Sequence, residues 1–287
     1  MTRWLRSHPL TGFVIIAYAG SWAFWVPFIP LQRLIPTQSY SHAVAGTGQL
    51  ALLAGPFLAS LIMTRLTTGS LRAWVSSFKR WRVPPASYAL ALIAIPVVIM
   101  AASAVLPGKE AGTPSLVGPA VVIAPLIQGV AFLIGGPIQE EVGWRGFALP
   151  ILQERIRPLR AAVVLGLIWG GWHLPQFFVS AWDTPHNNVG DVIGFFAFTV
   201  TDSIVISWIT NLARGSVLLA ILAHNSINWA LVTWSEITGR QATTIWPATA
   251  GMAVLAVVAL IATRGRLGFE TPAGSASAKP GSGRIDA

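Results

Sequence analysis

Eight long apolar segments, separated by short basic gaps, constrain this chain more than any other feature of its sequence. A helix needs about 20 mostly apolar residues to cross ~30 Å of hydrocarbon, and each segment is long enough or nearly so. We therefore predict an all-α fold, a polytopic membrane bundle of about eight transmembrane helices. The segments cover approximately residues 10–31, 44–63, 86–106, 119–149, 161–180, 190–212, 215–235 and 247–263.

The composition excludes several other classes of protein. Only 10% of the residues are charged and 54% are hydrophobic, whereas about 25% of an ordinary soluble domain is charged. The net charge is +9, but the basic residues lie between apolar segments, so we expect the lipid bilayer as partner and no nucleic acid. The chain has no cysteine, which excludes disulfides, a thiol nucleophile and thiolate metal ligands.

The distribution of Lys and Arg predicts an orientation. With both termini in the cytoplasm, 15 of the 19 basic residues fall inside and three outside, while Arg145 lies in the fourth segment. Such asymmetry is typical of membrane topology. Arg3 and Arg6 precede an apolar stretch that continues to about Pro30, which favours an uncleaved first span over a signal peptide. We predict an integral protein of a prokaryotic plasma membrane.

The chain is predicted to form a single transmembrane domain over residues 1–269, followed by a flexible tail over 270–287 that is rich in Gly, Ser, Ala and Pro. The fourth segment is too long for one simple span. We expect it to bend after Gly135-Gly136-Pro137, where backbone freedom and a missing N–H weaken a helix.

Three ionisable residues follow this predicted bend. Adjacent carboxylates such as Glu140 and Glu141 point about 100° apart on a helix, so they cannot play the same role. Glu141 and Arg145 lie four residues apart and can pair, which leaves Glu140 free to act as a base. The alternative is that all three lie at the interface and extend their charged ends into water.

Two later segments carry histidines at positions where ionisable groups are costly. His173 lies in the fifth segment, and His224 and Asn228 lie one turn apart in the seventh, where both can donate hydrogen bonds to one anion. The alternative is that these groups only join helices. Asp202, midway along the sixth segment, fits a structural pair or a functional role equally well.

The three ionisable positions lie at similar depths. At a rise of ~1.5 Å per residue from the predicted cytoplasmic boundaries, Glu140 is ~15 Å deep, His173 ~18 Å and His224 ~14 Å. We therefore expect them to converge. A carboxylate, two imidazoles and an amide suit hydrolysis by activated water, with donors that stabilise an oxyanion.

The same residues leave a metal alternative open. The HExxH motif is absent, which excludes a metalloprotease of that helical type. A zinc ion held by Glu140, His173 and His224 remains geometrically possible. We expect no cofactor, with zinc as the alternative.

The ordered motifs resemble those of a known family. Residues 140–145 (EEVGWR), then His173, then His224 with Asn228, are similar to the EExxxR, FxxxH and HxxxN motifs of the CPBP family. This family comprises the type II CAAX prenyl endopeptidases, the bacteriocin-processing and immunity proteins and the Abi proteins. The resemblance covers about residues 120–235. Trp169 stands where the second motif usually has Phe, from which we expect altered packing and retained chemistry.

The resemblance implies an intramembrane endopeptidase that cleaves a membrane protein or peptide. By analogy Glu140 is the general base, His173 holds or polarises the water, and His224 and Asn228 form the oxyanion hole. Glu141 and Arg145 then support the site. Two alternatives are a non-catalytic immunity or scaffold protein of the same fold and, less favoured, a small transporter that uses Asp202.

Overall fold

The computed structural model describes residues 2–110, 112–180, 182, 184–185 and 188–270. Most of the predicted C-terminal tail, residues 271–287, therefore lies outside the described residues. Within the described part the fold consists of α-helices and one pair of two-residue strands. The helices are α1 Thr2–Ser7, α2 Pro9–Leu31, α3 Thr37–Leu52, α4 Leu58–Thr68, α5 Arg72–Phe78, α6 Pro85–Ala89, α7 Ile95–Val105, α8 Ala120–Ile134, α9 Pro137–Gly143, α10 Leu149–Arg155, α11 Pro158–Trp172, α12 Val189–Leu212, α13 Val217–Thr238 and α14 Trp246–Thr263.

The helices group into eight spans among the described residues, each long and apolar enough to cross a membrane. The predicted all-α membrane bundle is confirmed, and the chain is an integral membrane protein. The cytoplasmic placement of both termini stays a prediction. The spans are Pro9–Leu34, Ser39–Thr68, Pro85–Val105, Ala120–Arg155, Pro158–Phe178, Val189–Leu212, Val217–Thr238 and Trp246–Thr263.

Short non-α turns lengthen or redirect several spans. π-helical turns at Leu53–Phe57, Leu90–Ala94 and Trp144–Ala148 join the α-helices on either side of them. The first of these lets the second span run over Ser39–Thr68, well beyond the predicted limits of 44–63. Outside the spans, strand β1 (Lys109–Glu110) pairs antiparallel with β2 (Gln241–Ala242).

The fourth span breaks at the predicted place. Helix α8 ends at Ile134, and α9 begins at Pro137, where proline favours the first turn of a helix. Gln139 donates a hydrogen bond from Nε2 to the Ile134 carbonyl across the break, at 2.5 Å. Because the chain restarts here as a new helix, residues 139–145 face the interior of the bundle.

Helix α12 occupies the core and packs against both α11 and α14. Its close approach to α11 depends on two glycines of α11, Gly166 and Gly170. A Cβ on Gly166 would lie 2.6 Å from the Val200 Cα, and a Cβ on Gly170 would lie 2.7 Å from Thr199 Oγ1. Any larger residue at Gly166 would force the backbones of the two helices apart, and one at Gly170 would displace the Thr199 side chain, so glycine allows the helices to pack this tightly. The packing fixes the end of α11 that carries the second motif.

Candidate active site

Glu140 is buried in helix α9, with 5% of its surface exposed. Its Oε2 accepts a hydrogen bond of 2.7 Å from the indole Nε1 of Trp169 on α11. Among the described residues, Oε1 has no hydrogen-bond partner. The carboxylate is therefore anchored through one oxygen and keeps the other available.

Glu141 points to a different helix, as the 100° offset between neighbours predicts. Its Oε1 accepts hydrogen bonds from Arg145 Nη1 at 2.8 Å and from His224 Nδ1 at 2.9 Å. Glu141 is fully buried and Arg145 is 2% exposed. A buried carboxylate that contacts both a guanidinium and an imidazole ties α9 to α13 and fixes the plane of the His224 ring.

His173 is half-buried and lies where α11 passes into a 3-10 turn over Leu174–Phe178. Its Nδ1 is 2.9 Å from the Trp169 carbonyl oxygen. A carbonyl oxygen can only accept, so Nδ1 carries the proton and Nε2 is left as the free ring atom. His173 also lies within electrostatic range of Glu140 and His224. The structure thus brings the carboxylate and both imidazoles together from α9, α11 and α13.

Trp169 links the members of this cluster to one another. Its ring lies edge-to-face with the His224 ring at a centroid distance of 5.1 Å, and the Arg145 Cζ lies 4.8 Å from its centroid. Trp169 also adds a contact that the sequence-based expectation of altered packing and retained chemistry did not include, because its indole N–H donates to Glu140 and a phenyl ring cannot. The available signal was its spacing, four residues before His173 on the same helix face.

Asn228 and Asp202 are less tightly joined to the cluster. Asn228 is half-buried on α13, one turn beyond His224, and no hydrogen bond of its side chain occurs within the described residues. Asp202 is 1% exposed on α12 and lies within electrostatic range of Arg145 and Glu141. Neither of its carboxylate oxygens, nor Arg145 Nε or Nη2, has a hydrogen-bond partner in the described part of the chain.

The proposed zinc ligands do not form a preformed metal site. No group of three or more His, Asp or Glu side chains within the described ranges is arranged to hold a metal ion. Glu140 Oε2 instead accepts from Trp169, and His224 Nδ1 contacts Glu141. These hydrogen bonds leave Glu140 Oε1, His173 Nε2 and His224 Nε2 without a partner in the described part of the chain, and the expectation that no cofactor is needed stays a prediction.

The comparisons with known proteins identify this part of the chain. Residues 122–230 match the family model described as Type II CAAX prenyl endopeptidase Rce1-like. This segment is Rce1-like. The resemblance to the CPBP and CAAX protease family, inferred from three short motifs, is thereby confirmed. The Rce1-like segment contains Glu140, His173, His224 and Asn228, so every proposed catalytic residue lies within the matched region.

One curated relative supports the same assignment. The chain is 34% identical over 92 residues to "CAAX prenyl protease 2" of Methanococcus maripaludis. The match covers 31% of this chain and 34% of the relative. The likeness thus concerns about a third of each protein.

Proposed function

We propose that this protein is an intramembrane endopeptidase that hydrolyses a peptide bond with water activated by Glu140. The observation that carries the proposal is the placement of a buried carboxylate, anchored by Trp169 at 2.7 Å, within electrostatic range of His173. The Rce1-like match over residues 122–230 supports a protease.

Glu140 accepts the proton of the attacking water. The bond from Trp169 occupies Oε2 and orients the carboxylate, so Oε1 is the oxygen that receives the proton. The resulting hydroxide attacks the carbonyl carbon of the scissile amide. Glu140 then returns the proton to the amide nitrogen as the C–N bond breaks, which yields one carboxylic acid and one amine.

His173 holds the water. Because its Nδ1–H donates to the Trp169 carbonyl, Nε2 can accept a hydrogen bond from a water molecule between the imidazole and Glu140. That water then contacts two acceptors and directs a lone pair away from them, toward the substrate. His173 acts here by orientation, and Glu140 takes the proton.

His224 and Asn228 stabilise the oxyanion of the tetrahedral intermediate. His224 Nδ1 already contacts Glu141 at 2.9 Å, so its Nε2 can donate to an oxyanion only when the ring is protonated. Glu141 lies beside that imidazolium and stabilises it, and Arg145 on the same oxygen holds Glu141 in place. The Asn228 amide, one turn along α13, supplies the second donor.

The substrate class that fits is a membrane protein or membrane-bound peptide. The cluster lies within the spans, so the scissile bond must reach it from within or beside the bilayer. The name of the Methanococcus relative makes a prenylated CAAX peptide the first substrate to test. No step of the proposed reaction passes through a metal, and we propose that none is required.

The test uses the purified full chain in nanodiscs, with fluorogenic peptides that either carry a C-terminal prenylated CAAX motif or lack the prenyl group. Replacing Glu140 by Gln removes the base with little change of shape and should lower kcat by about 10²–10⁴-fold. A strong chelator should leave the wild-type rate unchanged. Equal cleavage by wild type and Glu140→Gln would refute the role of Glu140, and loss of activity with chelator, restored by zinc, would refute the metal-free reaction.

A further inference from the structure

A second polar site lies at one end of the bundle, away from the proposed active site. It is a cavity of about 730 Å³ between the start of α11 and the end of α14. Three arginines line it, Arg157, Arg264 and Arg266, together with Pro158, Phe269 and Glu270. We call Arg157, Arg264 and Arg266 the arginine triad.

The arginine triad has no acidic partner at ion-pair distance among the residues that the structure describes. The ion pairs found in that part of the chain involve Glu141, which lies in the active-site cluster. The cavity lining holds three guanidinium groups and one carboxylate, that of Glu270, so its side chains carry an excess of positive charge that attracts an anion. Guanidinium groups bind phosphate through paired N–H donors, which a lone lysine cannot supply.

The backbone that carries Arg264 and Arg266 turns sharply at the end of α14. Arg264 and Leu267 adopt left-handed backbone angles, with φ of 50° and 49°, which residues other than Gly, Asn and Asp rarely adopt. Leu267 is fully buried, and its carbonyl accepts a hydrogen bond of 3.0 Å from Asn211 Nδ2 on α12. The backbone of this turn is therefore anchored to α12, whereas the side chains of Arg264 and Arg266 are exposed at the end of the bundle.

The position of the cavity indicates which phosphate it binds. One candidate span begins here, at Pro158, and another ends here, at Thr263, so we expect the cavity to open at the level of the lipid headgroups. Phe269 and Pro158 add apolar surface beside the arginines. A free phosphate ion gains nothing from contact with apolar side chains, whereas a phospholipid places its glycerol and the start of its acyl chains against them.

We propose that the arginine triad binds the headgroup of an acidic phospholipid, as a specific site separate from the active site. The site binds the phosphate through Arg157, Arg264 and Arg266, and the acyl chains lie along the outer surface of the bundle. The proposal does not depend on the peptidase reaction, because no residue of the cluster around Glu140 takes part.

The test measures lipid binding by the delipidated full chain in detergent. Phosphatidylglycerol and phosphatidylcholine are titrated against the wild type and against a triple variant, Arg157→Gln, Arg264→Gln and Arg266→Gln. A matched control replaces three exposed arginines elsewhere, Arg3, Arg6 and Arg72, and removes the same charge. Melting temperatures without lipid establish that all three proteins are folded.

We expect the wild type and the control to prefer phosphatidylglycerol, and the triple variant to bind it at least about tenfold more weakly. An equal loss in the control would overturn the proposal, since the effect would then be one of net charge. Competition by millimolar inorganic phosphate would also overturn it in favour of a free-phosphate site. If the triple variant melts early, the single variant Arg266→Gln is compared with the wild type in the same way. Unchanged binding of phosphatidylglycerol by this single variant would contradict the proposal.

Discussion

The two halves of the fourth span have opposite surroundings. The structure describes every residue of α8, and of these only Pro125 is buried. In α9, just beyond the break, every residue except Ile138 is buried, including both glutamates. The more apolar half thus lies outside and the charged half inside, the reverse of a water-soluble protein. In a bilayer, apolar side chains lose nothing by facing outward, whereas ionisable groups must find partners within the bundle.

The two halves are also held by different forces. The buried half is tied to its neighbours by carboxyl side chains, through Glu140 to α11 and through Glu141 to α13. The exposed half is held to α13 by two hydrogen bonds to its backbone, from Asn225 Nδ2 to the Gly129 carbonyl at 2.9 Å and from Trp229 Nε1 to the Pro125 carbonyl at 2.8 Å. One side-chain contact adds to them, from Gln128 Nε2 to the half-buried carboxylate of Glu236 at 2.7 Å. Substitutions in the two halves should therefore differ in their effect by several kcal/mol.

The largest effect is expected from the buried ion pair. Replacing Glu141 by Ala leaves the Arg145 guanidinium buried without its carboxylate, which should lower the free energy of unfolding by about 3–5 kcal/mol. In α8, the change of Val130 to Ala removes a largely exposed side chain and should alter stability by no more than about 0.5 kcal/mol. Reversible unfolding in mixed detergent measures both. Similar losses for the two variants would remove the contrast between the halves.

A smaller effect is expected from the bond between Trp169 and Glu140. Trp169→Phe keeps the ring but deletes the donor, and a hydrogen bond to a charged group contributes about 1.5–3 kcal/mol. We expect the free energy of unfolding to fall by about 1.5–3 kcal/mol, as measured by reversible unfolding, and kcat/KM to fall by about 10–100-fold. The measurement is peptide cleavage in nanodiscs.

Trp172 offers the matched control for this prediction. Its ring is fully buried next to His173, at a centroid distance of 4.6 Å, but its Nε1 has no hydrogen-bond partner among the described residues. Trp172→Phe removes the same atoms without removing a bond to Glu140. If both variants lose activity equally, ring volume and not the indole donor supports the site.

The smallest effect is expected where α8 contacts α13. Trp229→Phe removes the hydrogen bond to the Pro125 carbonyl, and single interhelical hydrogen bonds in membranes average about 0.6 kcal/mol. Stability should fall by about that amount, with the cleavage rate retained within about threefold. A loss above 2 kcal/mol would mean that α8 depends on this one bond and is not the loosely held half.

Much of the fold was predictable because hydropathy and backbone chemistry act locally. Eight spans follow from runs of apolar residues, and the break in the fourth follows from Gly135, Gly136 and Pro137. The sequence predicted that Glu140, His173 and His224 belong to the candidate site, because ionisable groups in hydrocarbon are costly and usually mark functional sites. Their roles in catalysis stay predictions, as does the role of Asn228.

The contacts that give the cluster its chemistry required the tertiary structure. The bond from Trp169 to Glu140 joins residues 29 positions apart, and that from His224 to Glu141 joins residues 83 apart. Asp202 belongs to no motif, and only the packing of α12 brings it within electrostatic range of Arg145. The arginine triad likewise forms only because α11 begins where α14 ends.

The sequence alone determined which segments enter the membrane and which of them carry ionisable groups, because the free energy of transfer into hydrocarbon depends on composition, residue by residue. Only the tertiary structure decided which atom of each polar group contacts which partner. Such contacts depend on the rotation and register of whole helices, and these are set by close packing such as that of Gly166 and Gly170 against α12.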